Sequence, residues 1–478
     1  MKKFLCPIQV QAKKNSHQSA VISSELTLTY QALDEHIEAA VSFLKKLNVK
    51  KNERVGILSA NDFAYIVLLW AFWRFKAVAV LLNVRLPMAT LQQQMKSLGI
   101  STLFVDSRER VHTAIALKDV MSAITITSTR QRPLTDNKKR TISVYPQKQA
   151  GTIMYTSGTS DQPKAALHTL GNHFYSALGS NKNIPVGKND RWLLSLPLYH
   201  VGGIGIIFRT FLAGAAVVIP QSSTDISQNV EKFRITHLSL VPTQLLRMLK
   251  EKGDRSSLKA ILLGGSMLPV NLLQKAEKRR WPIYISYGLT EMSSQVATSS
   301  LKHQSSVIGH QIEAKILPYR KIKISKDREI LVKGETLFQG YVQGKKIIRP
   351  TKNGGWFPTG DMGALQKGHL RVTGRRDNMF ISGGENIQPE EIEKYLLRVR
   401  GIEAALVFAR PDQTFGFRPA AYIKRRDKKI TNAYIRSYLQ KFLPSFKIPI
   451  HFYPWPKNLN MNDKHNRRTL IKKGSLKF

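Results

Sequence analysis

At 478 residues the chain is too long for one compact core, so two or more domains are expected. A 42% hydrophobic and 9% aromatic content excludes extensive disorder, and a single cysteine, Cys6, excludes an internal disulfide or a cysteine-based metal site and fits a reducing, cytoplasmic compartment. Lys+Arg total 74 against Asp+Glu 32, a formal +42, but the bases are scattered and no nucleic-acid-binding motif accompanies them, so a solvated basic surface is expected rather than a specific nucleic-acid site.

The apolar run at Met1–Pro7 ends at Gln9 and Lys13, too short for a secretory segment. Thr29 is read as the cap of a helix with Leu33, Ile37, Val41 and Leu44 on one face, ending near Asn48. Arg54–Leu58 reads as a buried strand, Phe63–Trp73 as an apolar helix and Ala77–Leu82 as a further strand. The tract from Val201 to Pro220 comes nearest to a membrane span. Its four glycines and central Arg209 argue instead for a buried helix or loop in which the guanidinium needs an anionic partner. Strands at Thr236–Val241, Ala260–Leu263 and Ile283–Ile285 continue the alternation of a large α/β domain with mainly parallel sheets.

Between about 312 and 374 the pattern shortens to alternating apolar and polar residues, as in a small antiparallel or barrel-like subdomain. Beyond Gly374-Arg-Arg-Asp-Asn378 the texture changes again. Pro389 opens a helix with acids in its first turn, strands follow at Leu406 and Ala421, and a helix spans Asn432–Phe442. The expectation is an α/β protein with an N-terminal domain over 1–376 and a smaller α+β domain over 377–478, joined by a tight hinge.

Four clusters carry candidate chemistry. Tyr155-Thr-Ser-Gly-Thr-Ser-Asp-Gln-Pro-Lys-Ala165 follows a short apolar strand; its hydroxyls, glycine and Lys164 suit a loop around a polyphosphate, although the Walker A spacing is absent and a surface turn is the plain alternative. Gly264-Gly265-Ser266 allows close backbone approach to a flat group, or is simply a turn. Tyr287-Gly-Leu-Thr-Glu291 joins an aromatic face, a hydroxyl and a carboxylate able to hold Mg²⁺ beside phosphates, against the alternative of a solvated Glu291. Thr359-Gly-Asp361 offers a carboxylate for two ribose hydroxyls with Arg375 assisting, or Asp361 is a helix cap. Each follows a strand end, where open α/β sheets place ligands.

Taken in order, Thr156-Ser-Gly-Thr, Tyr287-Gly-Leu-Thr-Glu, Thr359-Gly-Asp, Gly374-Arg and Ser382-Gly-Gly-Glu-Asn resemble the core motifs of the adenylate-forming (AMP-binding) acyl-CoA synthetase superfamily, across essentially the whole chain. Leu194-Ser-Leu-Pro-Leu-Tyr-His-Val-Gly-Gly203, Leu240-Val-Pro-Thr-Gln-Leu-Leu-Arg247 and the block from Gly374 to Glu391 are most similar to the o-succinylbenzoate–CoA ligases of menaquinone biosynthesis. The resemblance implies ATP, Mg²⁺ and CoA as reaction partners and a carboxylic acid as substrate. It implies that Thr156, Ser157, Gly158, Thr159 and Lys164 line the triphosphate. Glu291 with Thr159 would serve the metal. Gly265, Ser266, Tyr287, Gly288 and Thr290 would hold adenine and neighbouring phosphate, and Asp361 and Arg375 the ribose. Lys464 is implied as the adenylation lysine, His200 as a residue of the acyl tunnel, and Asp377-Asn378 as the hinge. Ser382, Gly383, Gly384 and Glu385 are implied to line the CoA tunnel. Arg209 fits the aromatic carboxylate of o-succinylbenzoate, with a structural ion pair as its alternative. His200 reads equally as a hydrogen-bonded core histidine.

Three stretches depart from the family pattern: in the phosphate loop Asp161, Gln162 and Ala165 stand where Gly, Lys and Gly are usual, Asn378 replaces a common Asp, and Asn462-Asp463-Lys464-His465 replaces a Gly-Lys context. Another aryl- or fatty-acid ligase, a carrier-loading adenylation module, and a non-catalytic protein binding polyanions remain as alternatives. Weak association with anionic membranes and homo-oligomer formation stay open.

Overall fold

The computed structural model describes residues 2–106, 114–120, 122, 141–156, 163–220, 225–265, 270–301, 313–352, 354–382, 385–412, 415–427 and 429–456. Among them, strands pair into two large sheets. The first is built on the parallel strands Arg54–Leu58, Val78–Leu81 and Thr102–Val105, with Ala150–Tyr155 parallel to Val78–Leu81. Ala165–Thr169 then runs antiparallel to Ala150–Tyr155, and Gly340–Gln343 antiparallel to it in turn. These strands are apolar at successive positions because both faces of the sheet are covered.

The second sheet has a parallel heart: Ala216–Val218, Arg191–Leu193, His237–Leu240, Ala260–Leu263 and Ile283–Leu289. It turns antiparallel at Ser294–Ser300 and continues through Glu313–Ile316, His369–Arg375, Phe357–Gln366, Glu329–Gly334 and Arg320–Ile324. The antiparallel strands expected over 312–374 are therefore present and extend the long sheet, while Gly340–Gln343 within that stretch crosses to the first sheet.

Two helices fill the space between the sheets. Phe63–Phe75 is held by Asp62, which caps it by accepting from the Ala64 N–H at 2.9 Å, and it ends at Lys76 in the left-handed conformation. Val201–Ala213 ends at Gly214, φ +73°. The two meet through Trp70 on Phe208 (centroids 5.3 Å) and Trp73 on Phe208 (5.3 Å), which is why both are apolar almost all round. The second is thus a core helix of 13 residues, and among the described residues no helix is long and apolar enough to cross a membrane. The helix expected from Thr29 runs Tyr30–Lys46, with the Thr29 hydroxyl accepting from the Ala32 N–H.

Residues 385–456 build a separate small core. The strands Ile402–Asp412, Gly416–Arg425 and His451–Pro454 form one sheet, with the helices Pro389–Leu396 and Asn432–Gln440 packed on it. Ile392, Leu396, Val407, Ile423 and Ile435 fill the interior.

Candidate active site

The phosphate-loop candidate leaves the strand Ala150–Tyr155 and returns as the strand Ala165–Thr169. Its ends are tied by the Thr156 N–H donating to the Lys164 carbonyl at 2.9 Å. Ser157, Gly158 and Thr159, like Ser266, Gly383, Gly384 and Lys464, lie outside the described residues. Lys164 projects over the ring of Tyr341, with Nζ 5.2 Å from the centroid. The Tyr341 hydroxyl in turn donates to Glu291 Oε1 at 2.7 Å. Lys164 and Glu291, 127 residues apart in sequence, thereby flank one aromatic ring.

Glu291 sits on the 3-10 turn Thr290–Met292, immediately after the strand Ile283–Leu289. Two bonds hold this turn's backbone: His168 Nε2, on the first sheet, lies 2.7 Å from the Thr290 carbonyl, and the N–H of Phe338, just before the strand Gly340–Gln343, donates to the Glu291 carbonyl at 2.8 Å. Burial lowers the His168 pKa to about 4, so the ring is neutral and its Nε2–H is the donor. Glu291 is half-buried and has no ion-pair partner among the described residues; its Oε2 has no protein hydrogen bond there. A hard oxygen held in place but not neutralised fits Mg²⁺, which is bound by one or two carboxylates plus substrate phosphates.

A second cluster lies at the same strand end. The buried Tyr287 hydroxyl donates to Asp361 Oδ2 at 2.7 Å, and Arg375 Nη1 donates to Asp361 Oδ1 at 2.7 Å. Asp361 lies within the strand Phe357–Gln366, paired in register with Arg375, so it is not a helix cap. Burial, then the Asp361 charge, raises the Tyr287 phenol well above its ordinary value. Arg375 also reaches Asp377 at 3.4 Å, and the Gln388 side chain donates to the Arg375 carbonyl at 3.0 Å. The structure therefore brings Tyr287, Asp361, Arg375 and Asp377 together.

Two glycines stand near the same strand end. Gly265 follows Ala260–Leu263 with φ +88°, a conformation that side-chain-bearing residues rarely adopt. At Gly288 a Cβ would stand 2.2 Å from the Ser294 carbonyl oxygen, so only glycine fits beside the bulge between Tyr287 and Gly288. Leu263 pairs with Ile285, which places both glycines at adjacent strand ends.

Asn378 Nδ2 donates to a carboxylate oxygen of Glu390, in the first turn of the helix Pro389–Leu396. The amide explains the departure from the usual aspartate, because a second carboxylate there would face Glu390 with no donor. Ser382 is buried and Glu385 exposed, and the two pair across the short hairpin that flanks Gly383-Gly384.

The acyl candidates are further apart. His200 caps Val201–Ala213 at the helix start; it is exposed and stacks edge-on against Tyr199 at 4.8 Å, so it is not a core histidine. Arg209, about 13 Å further along the helix, is 1% exposed. Its Nη2 donates to Ser294 Oγ at 3.2 Å, its guanidinium lies 5.4 Å from the Trp192 ring, and its Nε has no partner. No carboxylate pairs with it among the described residues. Burial pulls its pKa down to about 10. A second buried guanidinium, Arg320, is lowered to about 9, by burial first and then by Arg209. Arg320 is satisfied by the carbonyls of Gln295 (2.8 Å), Pro318 (2.7 Å) and Ser176 (3.1 Å). Sequence reasoning missed Tyr341, His168, Ser294 and Arg320, because the contacts of Tyr341 with Glu291, His168 with Thr290, Ser294 with Arg209 and Arg320 with Ser176 are remote in sequence and leave no local spacing to read.

The AMP-binding enzyme family model matches residues 8–342. The 2-succinylbenzoate–CoA ligase of Bacillus licheniformis is 31% identical over 467 residues, 93% of this chain and 95% of that protein. The o-succinylbenzoate CoA synthetase of Bacillus subtilis in complex with the acyl-adenylate intermediate OSB-AMP superposes with a TM-score of 0.84 at 28% identity, covering 99% of both chains. The same Bacillus subtilis enzyme in complex with ATP and magnesium ion superposes at 0.81 and 28% identity, covering 95% of this chain and 96% of that one. Matched along nearly its full length by both sequence and fold, the chain belongs to the AMP-binding enzyme family.

Proposed function

We propose that the protein is an ATP-dependent, AMP-forming acid–thiol ligase that converts o-succinylbenzoate to its CoA thioester, a step of menaquinone biosynthesis. The observation that carries the choice of acid is Arg209: a fully buried cation with no carboxylate partner among the described residues. o-Succinylbenzoate has two carboxylates, so one can neutralise Arg209 while the succinyl carboxylate is activated. The full-length likeness to 2-succinylbenzoate–CoA ligases supports the same acid.

In the first step a succinyl carboxylate oxygen attacks the α-phosphorus of ATP, the bond to the bridging oxygen breaks, and pyrophosphate departs. Thr156, Ser157, Gly158, Thr159 and Lys164 line the triphosphate, so that negative charge shifting between phosphates meets fixed donors and a cation. Glu291, with Thr159, would hold Mg²⁺, which would supply positive charge beside the triphosphate. Gly265, Ser266, Tyr287, Gly288 and Thr290 enclose adenine and its neighbouring phosphate. Asp361 accepts from the ribose hydroxyls, and its bonds to Tyr287 and Arg375 keep it aimed. Lys464 supplies a further cation for adenylation. His200 borders the acyl tunnel.

In the second step the small domain rotates about Asp377-Asn378 and brings Ser382-Gly-Gly-Glu385 to the tunnel. The CoA sulfur attacks the acyl carbon, the carbon–oxygen bond to AMP breaks, and the thiol proton is lost. The single buried free cysteine fits a cytoplasmic setting.

The test is a panel of carboxylic acids assayed for pyrophosphate release with CoA present. o-Succinylbenzoate is expected to yield AMP, pyrophosphate and its CoA thioester; turnover of another aryl or fatty acid without turnover of o-succinylbenzoate refutes the assignment. ATP–pyrophosphate exchange with and without the acid separates an active enzyme from a polyanion-binding homologue.

A further inference from the structure

We propose that Tyr341 is a positioning residue for adenylation: it tethers the Glu291 carboxylate and keeps it apart from Lys164, so that each charge stays available to its own part of the nucleotide. The inference rests on the reading of Glu291 as a metal-binding residue and Lys164 as a phosphate-binding one.

An ammonium and a carboxylate in one half-buried cleft ordinarily pair, and a paired Lys164–Glu291 would blunt both the phosphate site and the metal site. Here both groups contact the Tyr341 side chain instead, at different places. Lys164 Nζ sits 5.2 Å from the ring centroid, while the hydroxyl at the ring's far end donates to Glu291 Oε1 at 2.7 Å. The bond occupies one carboxylate oxygen and leaves Oε2 without a protein partner among the described residues.

The ring's place is set by backbone pairing rather than by side-chain chance. Ala166 pairs with Tyr341 and Leu167 with Gly340, on the strand that leaves the phosphate loop at Lys164. Gly340, at φ +139°, lies where a Cβ would stand 2.4 Å from the Ile348 carbonyl oxygen, so the strand can run this close only with glycine before the tyrosine. Phe338 packs edge-on against Tyr341 at 4.9 Å, and its N–H holds the Glu291 carbonyl. The strand Gly340–Gln343 and the residue two positions before it, Phe338, thus hold the Glu291 side chain and its carbonyl.

Tyr341→Phe keeps the separating ring and removes the tether; Tyr341→Leu removes both. The binding readout is Mn²⁺ affinity by EPR titration with a non-hydrolysable ATP analogue. Alongside it run ATP–pyrophosphate exchange and thioesterification of preformed o-succinylbenzoyl-AMP by CoA. Tyr341→Phe is expected to weaken Mn²⁺ about tenfold, as loss of a ligand-orienting partner does, with KM for ATP within about twofold. Tyr341→Leu is expected to raise KM for ATP about tenfold as well, because Lys164 is then free to pair with Glu291. Thioesterification stays within about twofold in both, since that step needs neither group. Unmoved Mn²⁺ affinity in Tyr341→Phe, or equal loss of both half-reactions, overturns the proposal. A Glu291→Gln control separates the layers: if that variant leaves Mn²⁺ affinity unchanged, the metal assignment of Glu291 fails and this inference with it.

Discussion

Replacing Arg209 with methionine is expected to make the ligand-free protein more stable and the loaded protein weaker. Pulling the guanidinium down to about 10 by burial corresponds to roughly 3 kcal/mol of desolvation at about 1.4 kcal/mol per tenfold change in proton affinity. Trp192 and Ser294 offset part of this, but no carboxylate among the described residues does, and Arg320 stays nearby as a second buried cation. Methionine fills much of the same volume without charge, so Arg209→Met should gain about 1–3 kcal/mol, a rise of several degrees in Tm. The same variant forfeits a charge-assisted contact to the acid, typically about 2–5 kcal/mol and hence at least about 30-fold in KM for o-succinylbenzoate. Thermal unfolding with and without the acid, paired with steady-state kinetics, reads both effects. The acid should raise Tm of the native protein and not that of the variant. A variant that melts below the native protein without ligand, or that keeps its KM, refutes the reasoning.

Lys464→Ala should slow ATP–pyrophosphate exchange by about two to three orders of magnitude and leave thioesterification of preformed acyl-adenylate nearly intact, as separate half-reaction assays would read. Gly265→Ala forces a side chain into φ +88°, a strain of about 1–3 kcal/mol, and should lower Tm and raise KM for ATP together. His168 has a folded pKa of about 4, below its ordinary 6.5; the unfolded chain therefore takes up a proton first, and stability present above pH 6.5 is lost as pH falls toward 4. That shift amounts to about 3 kcal/mol, and His168→Gln, which retains a donor for the Thr290 carbonyl, should flatten the acid limb of a pH–stability profile.

Much of the site was legible because its pieces are short, local motifs. Tyr287, Glu291, Asp361 and Arg375 each lie in a cluster whose residue types suit one part of a nucleotide, and the structure brings Tyr287, Asp361 and Arg375 into direct contact. The hinge asparagine stood out as a departure, but its reason, the donor it offers Glu390, needed the small domain in place.

Periodicity and residue chemistry alone determined the α/β alternation, the core helix from Phe63, the change of texture after Asn378 and the order of the nucleotide motifs. These depend on neighbours within a few residues, where hydrophobic spacing and turn chemistry act directly. Only the tertiary structure decided that Lys164 and Glu291 both contact Tyr341, that His168 holds the Thr290 carbonyl, and that Arg209 is buried without a carboxylate partner among the described residues. Those facts arise from strand register and helix packing between residues tens to hundreds of positions apart, where one-dimensional spacing carries no distance.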